Sequence, residues 1–208
     1  MRRFAVALVL LSLPTMTFAQ GPSVPTQFKI VAEEPAAAPK LESLHCLMAT
    51  AQDGLLTRSE LWAEGNKSRS DLLQVLDKKL KPPVVSIQVA DTIYTFERGA
   101  KKGTKLQLPG FAGKSLLAQF DIVRTKGEKT GTIDVEGVTY EILNYDAGGG
   151  EAIEAWINPA TGLPLRWRST VTHADTPDVM IIVYADATRN LDIADDLFQI
   201  PAKVKFNE

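Results

Sequence analysis

Residues 151–173 read EAIEAWINPATGLPLRWRSTVTH. Ile153, Ala155 and Ile157 fall on one side of an extended chain, against Glu154 on the other. After the turn residues Asn158–Gly162 the alternation resumes. Leu165, Trp167 and Val171 point one way, and Arg166, Arg168, Thr170 and Thr172 the other. Two half-apolar strands joined by five turn residues make an antiparallel hairpin.

The same grammar extends outward in both directions. Asp53-Gly54 separates Leu44–Ala51 from Leu55–Glu64, and Gly65-Asn66 leads into Lys67–Leu73. Val84–Ala90, Thr92–Glu97 and Thr104–Leu108 are further strands rich in β-branched and aromatic residues. Thr130–Val135 and Val138–Tyr145 flank Glu136-Gly137, with Val138, Tyr140 and Ile142 read as the dry side. Val179–Thr188 is the most apolar strand, and Phe198–Ile200 ends against Pro201. The period changes once, in Lys114–Val123, where Leu116, Leu117, Phe120 and Val123 recur at helical spacing. The spacing therefore predicts about ten short strands and one short amphipathic helix. The fold class is α+β, mostly β: a curved antiparallel sheet, partly or wholly barrel-like. One face is dry and one wet, and the helix is available to cover the dry one.

The first 19 residues are MRRFAVALVLLSLPTMTFA. Arg2 and Arg3 precede a ten-residue apolar run, Phe4–Leu13, and Thr17-Phe18-Ala19 is a small-x-small cleavage signal. This is the pattern of a secretory signal peptide cleaved near Ala19, and it is too short to span a bilayer. Its loss takes the formal charge from -2 to -4. Residues 20–40, with Pro22, Pro25, Pro35 and Pro39, read as an extended Pro/Ala-rich arm in which Phe28–Ala32 has strand character. Residues 41–208 are then a single β-rich domain.

Composition removes several functions. A net charge of -2 offers no basic excess for phosphate backbones, so nucleic acid is not an expected partner. One Cys and two His leave no material for a disulfide framework or a Cys/His metal centre. Gly113-Lys114-Ser115 fails as a phosphate loop, because that motif needs Gly where Leu108 stands. His45 and Cys46, adjacent on a strand, project to opposite faces and cannot act as base and nucleophile. His173 and Asp175 share a face but lack a serine in a nucleophile elbow. No catalytic residue, cofactor or metal is expected.

Four segments resemble the LolA-like family of periplasmic lipoprotein carriers and related lipid-binding proteins. They are Ser59–Arg69 (SELWAEGNKSR), Ile93–Phe96 after Asp91, Ala155–Arg166 with its Trp and Gly-Leu-Pro return, and Leu197–Pro201. The resemblance implies an incomplete, half-open β-barrel with a helical lid over an apolar cavity. In these carriers the cavity shelters acyl chains during periplasmic transit, without metal or catalytic residues. The expected cavity residues are Val85, Ile87, Val89, Tyr140, Ile142, Trp167, Ile182 and Tyr184, with Leu116 and Phe120 from the helix. Trp62 shares its face with Leu56, Arg58 and Glu60 and is placed at the rim. The expectation is an exported carrier or binding protein for lipoprotein acyl chains or other lipid. The alternatives are an envelope protein-interaction or sensor module on the same fold, and a hydrolase. No transmembrane helix is expected in the mature chain.

Overall fold

A computed structural model describes residues 40–75, 84–173 and 176–207. The strands are β1 (Ser43–Gln52), β2 (Leu55–Glu64), β3 (Lys67–Val75), β4 (Val84–Val89), β5 (Thr92–Glu97) and β6 (Lys102–Gln107). Helix α1 (Leu116–Lys126) follows. The second half holds β7 (Glu128–Val135), β8 (Val138–Gly148), β9 (Glu151–Ile157), β10 (Pro164–His173), β11 (Thr176–Arg189) and β12 (Lys205–Asn207). A single 3-10 turn, Asp195–Phe198, precedes β12.

All twelve described strands lie in one sheet, ordered β12-β6-β5-β4-β3-β2-β1-β11-β10-β9-β8-β7. Two meanders, β1–β6 and β7–β11, are joined side by side by the antiparallel pairing of β1 with β11. β7 and β12 stand at opposite ends and do not pair, so the sheet is open rather than a closed barrel. The turns are local chemistry. Asp53-Gly54 and Glu136-Gly137 each place both residues at positive φ, which matches the right-handed twist of a tight hairpin.

The sequence places the helix well. Ser115 caps α1 by accepting the Ala118 N–H at 3.3 Å, and Arg124 and Lys126 sit in its last turn, where the helix dipole favours cations. Leu117, Phe120 and Val123 are buried, three residues apart on one stripe.

Register assigns the faces, because directly opposed residues share one. Thr50, Ile182, Trp167, Ala155 and Leu143 are opposed in turn across five strands, beside the row Met48–Tyr184. This face carries the main core, which adds Leu44, Cys46, Leu61, Ile153 and Ile157, and α1 packs on it. On the reverse face, Phe96, Val85, Asp71, Glu60 and Leu47 are opposed in turn, as are Tyr94, Ile87, Arg69, Trp62 and His45. Here Val85, Ile87 and Phe96 form a second cluster, covered by Ile200, Val204 and Phe206.

Three expectations need correction. The sheet does not have one dry and one wet face. It has an apolar cluster on each, because the C-terminal segment folds back over the β3–β6 end. That segment also forms β12, which the sequence pattern did not show, and β12 runs parallel to β6. Phe198–Ile200 is no strand end: Phe198 closes the 3-10 turn. The Phe28–Ala32 strand and the His173–Asp175 pair lie outside the described residues and side chains.

Candidate functional site

The expected cavity residues are divided by the sheet. Trp167, Ile182, Tyr184, Leu116 and Phe120 gather on the helix-covered face. Their centre is tightly packed: Phe120 meets Trp167 and Tyr184 edge-on, at ring distances of 5.3 and 5.6 Å. The crevice bounded by Leu41, Phe120 and Gly162 is too narrow for a water molecule. Val85, Ile87 and Val89 belong instead to the second cluster on the reverse face. Ile142 is also on the reverse face, opposite Trp156, because Leu143 takes the inward position on β8. Tyr140, two residues along the strand, shares that side and opposes Ile133. Trp62 lies where its alternation with Leu56, Arg58 and Glu60 put it, on the reverse face, half-buried.

Around Trp62 the polar groups are tied together. His45 stacks on its ring at 5.4 Å, and His45 Nε2 and Glu60 Oε1 lie 2.9 Å apart. Arg69 sits over the other side of the indole, 5.9 Å from its centroid. Arg69 Nε and Nη2 donate to the two oxygens of Asp71 at 2.6 and 2.9 Å, and Arg98 Nη2 donates to Asp71 at 2.8 Å. Arg69 Nη1 also donates to the Leu197 carbonyl at 3.0 Å, which pins the C-terminal segment to β3. Asp71 is only 5% exposed, so this bidentate pair is shielded from solvent.

Cys46 is buried on the other face, which separates it from His45 as the strand geometry requires. Burial pushes its thiol from 9.0 up to about 12. The Tyr184 hydroxyl is raised as well, by burial first and by the neighbouring Cys46 second. Neither group carries charge near neutral pH.

Two clefts open on the reverse face. One, of about 550 Å³, is lined by Glu128, Asn144, Asp146, Glu154, Arg168 and Thr170. The other, of about 540 Å³, runs over β1, β2, β3 and β11. It is lined by Leu47, Met48, Ala49, Leu73, Val183 and Ala185, with Arg58, Ser59 and Gln74 among them, Arg58 standing on β2 between Ala49 and Gln74. Leu47, Leu73 and Val183 are 40%, 42% and 43% exposed, unusual values for neighbouring large apolar side chains. Leu73 reaches this groove from a β-bulge in β3, opposite Arg58 and Ser59. The cavity expected from sequence did not include this groove. The alternation of β2 put Arg58 on the same face as Trp62, but nothing local showed that β11 would be its neighbour across β1.

The architecture is an open, predominantly antiparallel sheet with one helix against one face and an apolar groove on the other. The chain is similar in fold to an uncharacterised conserved protein from Thermus thermophilus. The TM-score is 0.51 at 11% identity, over 79% of this chain and 90% of that one. It is also similar to a LolA superfamily protein from Nitrosomonas europaea, at TM-score 0.37 and 13% identity over 76% of this chain and 89% of that one. A third similar structure is the lipoprotein LppX from Mycobacterium tuberculosis, at TM-score 0.40 and 10% identity over 74% and 90%. No family model and no curated protein sequence matches the chain. Among the described residues no helix is long and apolar enough to cross a membrane, and no three His, Cys, Asp or Glu side chains are grouped to hold a metal ion.

Proposed function

We propose that this chain is a non-catalytic, periplasmic lipid-binding protein that shelters an acyl chain in the groove between β1, β2, β3 and β11. The observation that carries this reading is the groove itself: about 540 Å³ of open space walled by Leu47, Ala49, Leu73, Val183 and Ala185. That volume falls within the roughly 300–1,000 Å³ of small-molecule sites. Each methylene hidden there contributes about 0.8 kcal/mol, so a long tail binds by area alone. The groove is open along one side, which favours release without an energy source. The signal-like first 19 residues support a periplasmic location. The LolA-like resemblance in sequence supports a lipoprotein tail or a free lipid as cargo.

Solvent extraction of the purified chain followed by mass spectrometry tests the reading. Co-purified acyl lipid is expected, lost in Val183→Glu and kept in Thr170→Glu, which alters the polar cleft instead. Absence of extractable lipid, together with no binding of the fluorescent fatty acid cis-parinaric acid, overturns it. A protein-interaction role is the second reading. It is favoured by β7, which has β8 as its one strand neighbour among the described residues and so presents an open sheet edge.

A further inference from the structure

We infer that the groove selects an anionic amphiphile, with Arg58 as the residue that receives its carboxylate or phosphate head. The inference rests on the lipid-binding reading and specifies its ligand class. Arg58 lies between Ala49 on β1 and Gln74 on β3, and Ala49 is in turn opposed by Val183 on β11. The residue is exposed within the groove, between the apolar side chains of β1 and β11 and Leu73 of β3, and has no hydrogen-bond or ion-pair partner among the described residues. The acid nearest along its own strand face, Glu60, is engaged by His45.

Several other cations of the sheet are paired with carboxylates. Arg69 and Arg98 hold Asp71, Arg166 holds Glu154 while stacked on Trp156, and Lys129 holds Glu141 at 2.6 Å. Arg168 is without a partner too among the described residues, but it lines the cleft that also holds Glu128 and Asp146, whose carboxylates repel an anion. Among the clefts described, the groove at Arg58 joins an unneutralised guanidinium to apolar walls. Guanidinium donates in a planar fork that fits a carboxylate or phosphate with two parallel hydrogen bonds. The tail then lies along Leu47, Val183 and Ala185. The whole chain is acidic, with a formal charge of -2, so diffuse attraction does not bring an anion here.

Fluorescence titration with cis-parinaric acid and with its methyl ester separates head from tail. The acid is expected to bind about tenfold more tightly than the ester, the effect of one charge-assisted contact. Arg58→Gln should abolish that preference, bringing the affinity for the acid down to that for the ester, while Val183→Glu should weaken both probes. Competition against bound cis-parinaric acid distinguishes the two head chemistries. Displacement by lysophosphatidic acid in preference to stearic acid assigns phosphate, and the reverse assigns carboxylate. Equal binding of acid and ester by the unaltered chain, or displacement by neutral monoacylglycerol as effective as by either anion, overturns the head assignment and leaves the groove standing. Failure of both probes to bind overturns the lipid reading beneath it.

Discussion

Two clefts of nearly the same size sit on one face of the sheet, and they differ in the charge of the side chains that line them. The cleft over β7, β8, β9 and β10 carries Glu128, Asp146 and Glu154 around Arg168, beside Tyr145 and Ile153. The groove over β1, β2, β3 and β11 is walled by Leu47, Leu73 and Val183 beside Arg58. Volume therefore says little about what either holds. An acid-lined cleft stays hydrated, because stripping water from carboxylates is costly. An apolar trough gains by being covered, and the Arg58 guanidinium within it suits an anionic head group on the proposed ligand. A second contrast lies across the sheet. The helix-covered face is filled by its own aromatic rings, whereas the reverse face is filled only where the C-terminal segment lies on it.

Substitutions should separate these regions by the size of their effects. The largest loss of stability is expected on the filled face, where Trp167→Ala or Phe120→Ala should cost about 3–5 kcal/mol by urea unfolding. A loss under about 1 kcal/mol would mean that the rings are loosely held and that this face, too, has room for a ligand. Next comes the buried ion pair beneath the C-terminal segment. Asp71→Asn strands Arg69 without its carboxylate and should cost about 3 kcal/mol, with Phe206 and Val204 loosened in hydrogen exchange. Gly103→Ala should disturb the same cover, since an added Cβ would meet Phe206 at 2.7 Å.

A third effect depends on pH. The folded chain keeps the Cys46 proton up to about 12, whereas the unfolded thiol releases it near 9.0. The native state thus binds more protons between those values, so stability falls as pH rises from about 9 toward 12. The raised Tyr184 hydroxyl adds to the same alkaline loss. Below pH 9 the contribution is fully present. Cys46→Ala should flatten this alkaline slope, and the native thiol should resist Ellman's reagent until denaturant is added. The smallest expected effect is at the groove: Val183→Ala should change stability by about 0.5 kcal/mol or less while still weakening lipid probes. A large stability loss there would show the groove wall to be core.

Much of the strand layout was legible, because it depends on local chemistry. β2, β5 and β9 have the bounds that their alternation and turn residues predict. The α1 stripe of Leu117, Phe120 and Val123 follows from its spacing. Trp62, Glu60 and Arg58 kept the face their alternation assigned, since β1 and β2 pair without a bulge. Val85 and Ile87 were legible as buried, but not as buried on the face opposite Trp167. Ile142 was misplaced because Leu143, not its neighbours at even positions, turns toward the helix. Bulges in β3, β7, β8, β10 and β11 shift register, and a shift of one residue exchanges the faces.

The amino-acid order by itself determined that this chain makes hairpins, where they turn, and which single segment coils, because propensity, alternation and turn geometry act within a few residues. Only the folded arrangement decided which apolar side chains meet. The pairing of β1 with β11, remote in the chain, sets Val183 beside Ala49 and Arg58. The return of the C-terminus covers one part of the reverse face and leaves that groove bare, a contrast between burial and exposure that no local pattern encodes.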